Sequence, residues 1–182
     1  VAGIFRKGIT EADPAMVLDT LKNSAFSAFL VAQQAARVML TNAPGGNRAK
    51  GTIIFTNVSA ALKGYAKSGA FAMASQGKLG LAESMARELM PEGIHIAHVP
   101  IDAASGWTQD DGTRAHRLAG TTVDDNMADP QFIAQTYLQL HRQHRHSRRA
   151  DCRSTQTGSF PTSFDMARAS TTRSRNRRDR LR

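Results

Sequence analysis

The chain has 182 residues, with 24 Lys and Arg against 15 Asp and Glu, a formal net charge of +9 and a single cysteine. That length buries one ordinary core, one cysteine rules out an internal disulfide, and no apolar run reaches the roughly 18 residues of a membrane-spanning helix. No charged start followed by an apolar run reads as a leader, so a cytoplasmic location without a membrane partner is expected. The charge is uneven: residues 1–141 balance, and the twelve Arg and three Asp of residues 142–182 carry the whole excess.

Asp13 followed by Pro14 is a helix start, a capping carboxylate before a first-turn proline. Leu21, Ala25, Phe29, Ala32, Ala36 and Met39 then recur at three- and four-residue steps, which predicts one long helix over 14–40. NAPGGNRAK breaks it. The β-branched and aromatic run over 52–55 predicts a buried strand, residues 60–69 a loop, and a second stripe through Leu79, Ala82, Met85, Ala86 and Leu89 a helix over 70–90 that Pro91 and Gly93 end. Residues 94–101 read as a strand apolar on both faces, 105–127 as a polar, acidic loop or lid. Asp129 and Pro130 open a last helix, with Phe132, Ile133, Tyr137 and Leu140 on one face. Strand and helix alternate, so the fold class is α/β with a parallel sheet rather than a helical bundle. After about residue 143 the periodicity stops, and the Arg- and Ser-rich composition of 144–182 predicts a disordered tail beside a folded domain of 1–143.

His95 and His98 have an odd separation on one strand and so point to opposite faces, as structural residues. His141, His144, His146 and Cys152 match no common zinc spacing, and no metal site is expected. Tyr65, in the loop and without a Lys four residues on, reads as a surface aromatic. Ser59 is either a turn hydroxyl satisfying backbone or a hydroxyl at a site.

GTIIFTNVSAALKGYAKSGAFAMA, LAESMAREL, GIHIAHV and MADPQFIAQTYLQLHRQ, with VAG at the start and FSAFLVAQQAARVM after it, together resemble the short-chain dehydrogenase/reductase family. The likeness is to an atypical, bacterial-type subgroup and covers roughly residues 1–143. It implies a Rossmann-like parallel sheet flanked by helices, here incomplete because the first βαβ half is absent. It also implies hydride transfer between NAD or NADP and an alcohol or ketone. In the family a Tyr moves the proton and a Lys four residues later, on the same helical face, supplies charge. Phe71 stands at the Tyr position and Ser75 at the Lys position. Lys78 shares that face, but two turns away, about 10 Å along the axis. The family Ser aligns with Val58, beside Ser59, and the relay Asn with Ser24. The cofactor-facing positions are Val1, Ala2, Gly3, Asp102, Ala103 and, one residue out of step, Thr108.

No TGxxxGxG or GxGxxG turn for a pyrophosphate occurs in the sequence, and Gly45 and Gly46 fall in a helix-to-strand connection. The resemblance therefore implies a fragment or pseudoenzyme, with no catalysis expected from this chain alone. Family members commonly dimerise through the two long helices, here 14–40 and 70–90, so a homo- or hetero-dimeric interaction protein is the alternative. Nucleic-acid binding through the tail is a third reading, weakened by the lack of Lys and of interleaved aromatics. The tail is read as a non-native readthrough of the family's closing segment or as a native basic extension. Sequencing the encoding DNA in its other frames past codon 143 separates the two.

Overall fold

The computed structural model describes residues 7–46, 48–105, 107–116, 120–122 and 127–144. The expected tail and the Val1, Ala2 and Gly3 positions lie outside these. The helices after Asp13 and Asp129 both begin at a proline as the sequence predicts: Asp13 Oδ1 accepts from the Ala15 amide at 3.0 Å and Asp129 Oδ1 from the Gln131 amide at 2.8 Å.

The first long helix is not one uniform helix. It runs as α1 (Pro14–Leu21), a π-helical turn (Lys22–Phe26) and α2 (Ser27–Leu40). The Ser27 hydroxyl donates to the Asn23 and Ser24 carbonyls, both at 3.1 Å, at the point where the ladder widens. An extra residue per turn rotates the helix that follows. Phe29, expected on the buried stripe, is therefore 40% exposed, and Ala28 packs inward with Ala32 and Ala36.

β1 (Gly51–Val58) and β2 (Ile94–Ile101) pair in parallel, from Gly51 opposite Ile94 to Val58 opposite Ile101, and α3 (Gly69–Leu89) connects them. This βαβ unit is the incomplete Rossmann-like sheet the sequence implies. β1 runs three residues beyond the expected 52–55 because polar Asn57 is accommodated inside. Its side-chain amide donates to the Ser75 carbonyl at 2.8 Å and lies 2.9 Å from His98 Nε2. A buried polar group with partners does not end a strand.

Strand alternation assigns the two faces. Ile53, Phe55, Ile94 and Ile96 pack under Ala32 and Ala36 of α2 and Ala82, Met85, Ala86 and Leu89 of α3, forming the core. Small alanines on both helices let them sit close to the sheet. On the other face, Thr56 Oγ1 meets Tyr137 Oη at 2.7 Å and Thr52 Oγ1 meets His141 Nδ1 at 3.1 Å, which pins α4 (Pro130–Arg142) along β1. Phe132 is 63% exposed and off that face, whose line is Ile133, Tyr137 and Leu140.

Residues 105–127 are not a plain loop. Within and around them lie β3 (Ala104–Ser105), β4 (Trp107–Thr108), β5 (Arg114–His116), β6 (Gly120–Thr122) and β7 (Met127–Ala128). β3 pairs in parallel with β7, and β4, β5 and β6 form an antiparallel set. The hairpin between β4 and β5 closes on Gly112 at φ 82°, with Asp111 Oδ1 accepting from the Thr113 amide at 2.9 Å and hydroxyl at 2.7 Å. Those bonds hold the Asp111 carboxyl below its usual pKa, the Thr113 hydroxyl first. Asp-Gly is a strong hairpin signal, here hidden in a polar stretch. Among the described residues no helix is long and apolar enough to cross a membrane.

Candidate active site

In an open α/β sheet, ligands bind beyond the carboxyl ends of parallel strands. β1 and β2 end side by side at Val58 and Ile101, and a cavity of about 640 Å³ opens there. Ser59, Tyr65, Ser68, Phe71, Asp102 and Ala103 are among its lining residues.

Ser59 begins a short 3-10 turn (Ser59–Ala61) directly after β1. Its Oγ accepts a hydrogen bond from Tyr65 Oη at 3.1 Å. The bond goes to a side chain and not to the backbone that the turn-hydroxyl reading of Ser59 supposes. Tyr65, expected to be a bland surface aromatic, is 46% exposed but reaches into the cavity wall. Its own carbonyl takes the Ser68 amide at 3.2 Å and the Ser68 hydroxyl at 2.8 Å. Closing this turn puts Lys67 at φ 62°, a left-handed conformation that costs a non-glycine residue energy.

Lys63 is a residue the sequence reading did not single out. Its Nζ lies 5.3 Å from the Tyr65 ring centroid and 3.9 Å from Asp102 Oδ2, linking the loop after β1 to the end of β2. Tyr65's hydroxyl beside it, and to a smaller degree the charges of Tyr65 and Asp102, hold its pKa above the usual lysine value against slight desolvation. Both partners of the ion pair are exposed, so its worth is positional more than energetic. Lys-Gly-Tyr in a loop has no periodicity to announce it.

Phe71, in the first turn of α3, lines the cavity rather than the core. Ser75, one turn on, does not line it: the residue is 2% exposed and its carbonyl is occupied by Asn57. Lys78 donates to the Thr56 carbonyl at 3.3 Å, and burial lowers its pKa. It serves β1, not the cavity. Ser24 lies half-buried in the π-helical turn, its carbonyl taken by Ser27, and is not among the lining residues. Thr108 falls in β4, opposite Arg114. Of the positions the sequence nominated, then, Ser59, Phe71, Asp102 and Ala103 come together, and Ser75 and Ser24 stand apart.

A parallel βαβ unit with a cavity at its strand ends defines an α/β, Rossmann-like class of protein. A family model described as Enoyl-(Acyl carrier protein) reductase matches residues 1–146. The chain belongs to the short-chain dehydrogenase/reductase family. Among solved structures it is similar to a short-chain dehydrogenase from Rhodopseudomonas palustris, at 35% identity and TM-score 0.49, over 53% of this chain and 43% of that one. An Escherichia coli CFT073 protein described as a short chain dehydrogenase matches at 17% identity and TM-score 0.55, over 77% of this chain and 53% of that one. A protein of Escherichia coli K-12 described as an oxidoreductase matches at 21% identity and TM-score 0.51, over 57% of this chain and 41% of that one. The chain thus spans about half or less of these relatives' lengths. No curated protein matches it.

Proposed function

We propose that the chain forms the reaction end of an NAD(P)-dependent oxidoreductase acting on an alcohol or ketone. The observation that supports this best is the shared cavity at the ends of β1 and β2, where Ser59 follows one strand and Asp102 and Ala103 follow the other. The cavity fits the nicotinamide end of the cofactor: Val58, Ile101 and Ala103 offer apolar walls to a flat ring, and Ser59 and Asp102 offer polar groups to a carboxamide. Bound nicotinamide would supply or accept hydride there. The pyrophosphate and adenine half finds no counterpart, because the sequence has no Gly-rich strand-to-helix turn. The family proton relay on α3 is disarmed as well, with a phenyl ring at Phe71 and a buried Ser75. The 182 residues alone are therefore expected not to turn over. Titrating the chain with NADH and with the reduced mononucleotide, followed by NMR of the residues around Ser59 and Asp102, tests this. Both ligands are expected to perturb the cavity weakly and alike, and no perturbation there by either would remove the nicotinamide reading.

A second reading, association with another copy of the chain, is favoured by the apolar surface of the first helix. Leu18, Phe26, Phe29, Leu30, Val31 and Val38 are exposed along it, Val31 by 72%, and Phe26 stacks on Phe29 with centroids 6.3 Å apart. A surface of this kind is characteristic of an interface.

A further inference from the structure

At the opposite end of the sheet from the cavity beside Ser59, where β1 begins, lies a trough of about 550 Å³. The Gly-rich connection from α2 to β1 and the last turn of α4 form it. Gly45, Gly46, Lys50, His141, Arg142 and His144 line it, and no carboxylate does so among the described residues. The eight residues of β1 separate it from Ser59 by roughly 23 Å, at about 3.3 Å per residue. A nicotinamide at the strand ends makes no use of it.

The groups that line this trough are held in place with donors to spare. The Lys50 amide donates to the Gly93 carbonyl at 2.8 Å, its carbonyl accepts from the Asn42 side-chain amide at 3.1 Å, and its ammonium donates to the Leu40 carbonyl at 3.2 Å. An ammonium has three N–H donors, so that last bond leaves two. His141 Nδ1 sits 3.1 Å from Thr52 Oγ1, which anchors the end of α4. Arg142 is exposed and has no ion-pair partner among the described residues. The Gly45 amide goes to the Ala49 carbonyl at 2.9 Å, whereas the Gly46 amide has no hydrogen-bond partner among the described residues. A Cβ on Gly46 would meet nothing within 4 Å, so a ligand can approach bare backbone there. Two helices, α2 and α4, end at the trough, and each carbonyl end carries about half a negative charge. Lys50 and Arg142 bring two whole positive charges, which leaves roughly one in excess before the imidazoles are counted.

We infer that this trough binds a phosphate group, carried by a small phosphate ester or by a nucleic-acid backbone, at a site separate from the nicotinamide end. The Arg142 guanidinium supplies a fork that matches two phosphate oxygens, Lys50 a point charge and Gly46 a backbone donor. The volume suits a ligand with a body beyond the phosphate rather than a lone ion. Positive charge also continues along the sequence from this point, since residues 142–182 hold twelve Arg and three Asp.

The ¹⁵N-labelled full chain is titrated with inorganic phosphate, with sodium chloride at matched ionic strength, and with a single-stranded thymidine oligonucleotide, and NMR follows the Gly46 amide, the Arg142 side chain and the His141 and His144 rings. Phosphate is expected to move these signals together and saturably while Ser59 and Asp102 stay still, and chloride is expected to leave them in place. Arg142→Gln is expected to weaken phosphate about tenfold, the worth of one charge-assisted hydrogen bond, with Arg142→Lys recovering part of the loss. An oligonucleotide that saturates the same signals at lower phosphate concentration than the free ion assigns the site to a nucleic-acid backbone, and one that does not assigns it to a small ester. Chloride acting like phosphate, a response that never saturates, or an Arg142→Gln chain that binds phosphate as tightly as the parent overturns the inference.

Discussion

His98 is fully buried in the middle of β2, with Nε2 on the Asn57 amide and Nδ1 without a hydrogen-bond partner among the described residues. Burial, helped by the Lys78 charge and opposed by Glu83, lowers its pKa below the usual histidine value of 6.5. The sign follows from the proton count. Below pH 6.5 the unfolded chain binds a proton that the folded chain still refuses, so stability is level above that value and falls as pH drops through it. Urea midpoints are expected to be equal at pH 8 and 7 and lower at pH 5.5, with a shallower loss in His98→Leu. An equal loss in that variant would rule His98 out as the cause. His98 was legible as a strand residue, but not its link to Asn57, which joins two strands far apart in sequence. Tyr65 was illegible for a similar reason: its meeting with Ser59 depends on a 3-10 turn and on the left-handed Lys67, neither of which leaves a periodic trace.

At the scale of elements, two glycines fix how α3 hands over to β2 and how β1 passes under α2. Gly93 takes φ 99° after α3, and its carbonyl accepts from the Lys50 amide at 2.8 Å, tying the two strand starts together. Gly93→Ala is expected to cost about 1–2 kcal/mol by urea unfolding, the penalty of a left-handed L-residue. A Cβ on Gly51 would lie 2.6 Å from Met39 Cγ, so Gly51→Ala is expected to cost about 1–3 kcal/mol by overpacking, unless Met39 is also shortened. An unchanged midpoint in either variant would contradict these assignments. The helix starts and the βαβ alternation could be read from Asp-Pro pairs, β-branched runs and apolar stripes because those are local signals. The π-helical turn could not, since a single extra residue shifts the phase without changing composition, and Phe29 was placed on the wrong face as a result. The short strands over 104–128 depend on pairing with one another, so a polar stretch of sequence concealed them.

For the whole molecule, the core of α2, α3 and the strand pair gives the strand-end cavity a firm base, while the outer face of the first helix remains apolar. Light scattering is expected to show a dimer, and Val31→Glu to move it toward monomer without unfolding. A wild-type monomer at high concentration would remove the self-association reading. The central claim is that these residues build the nicotinamide end of a dinucleotide site and not its pyrophosphate end. The most direct measurement compares the affinities of NADH and of the reduced mononucleotide for the same purified chain. Equal, weak affinities, with shifts centred on Ser59, Asp102 and Ala103, are the expected result. NADH binding tenfold or more tighter than the mononucleotide would contradict it, because the adenine half would then be held by residues of this chain.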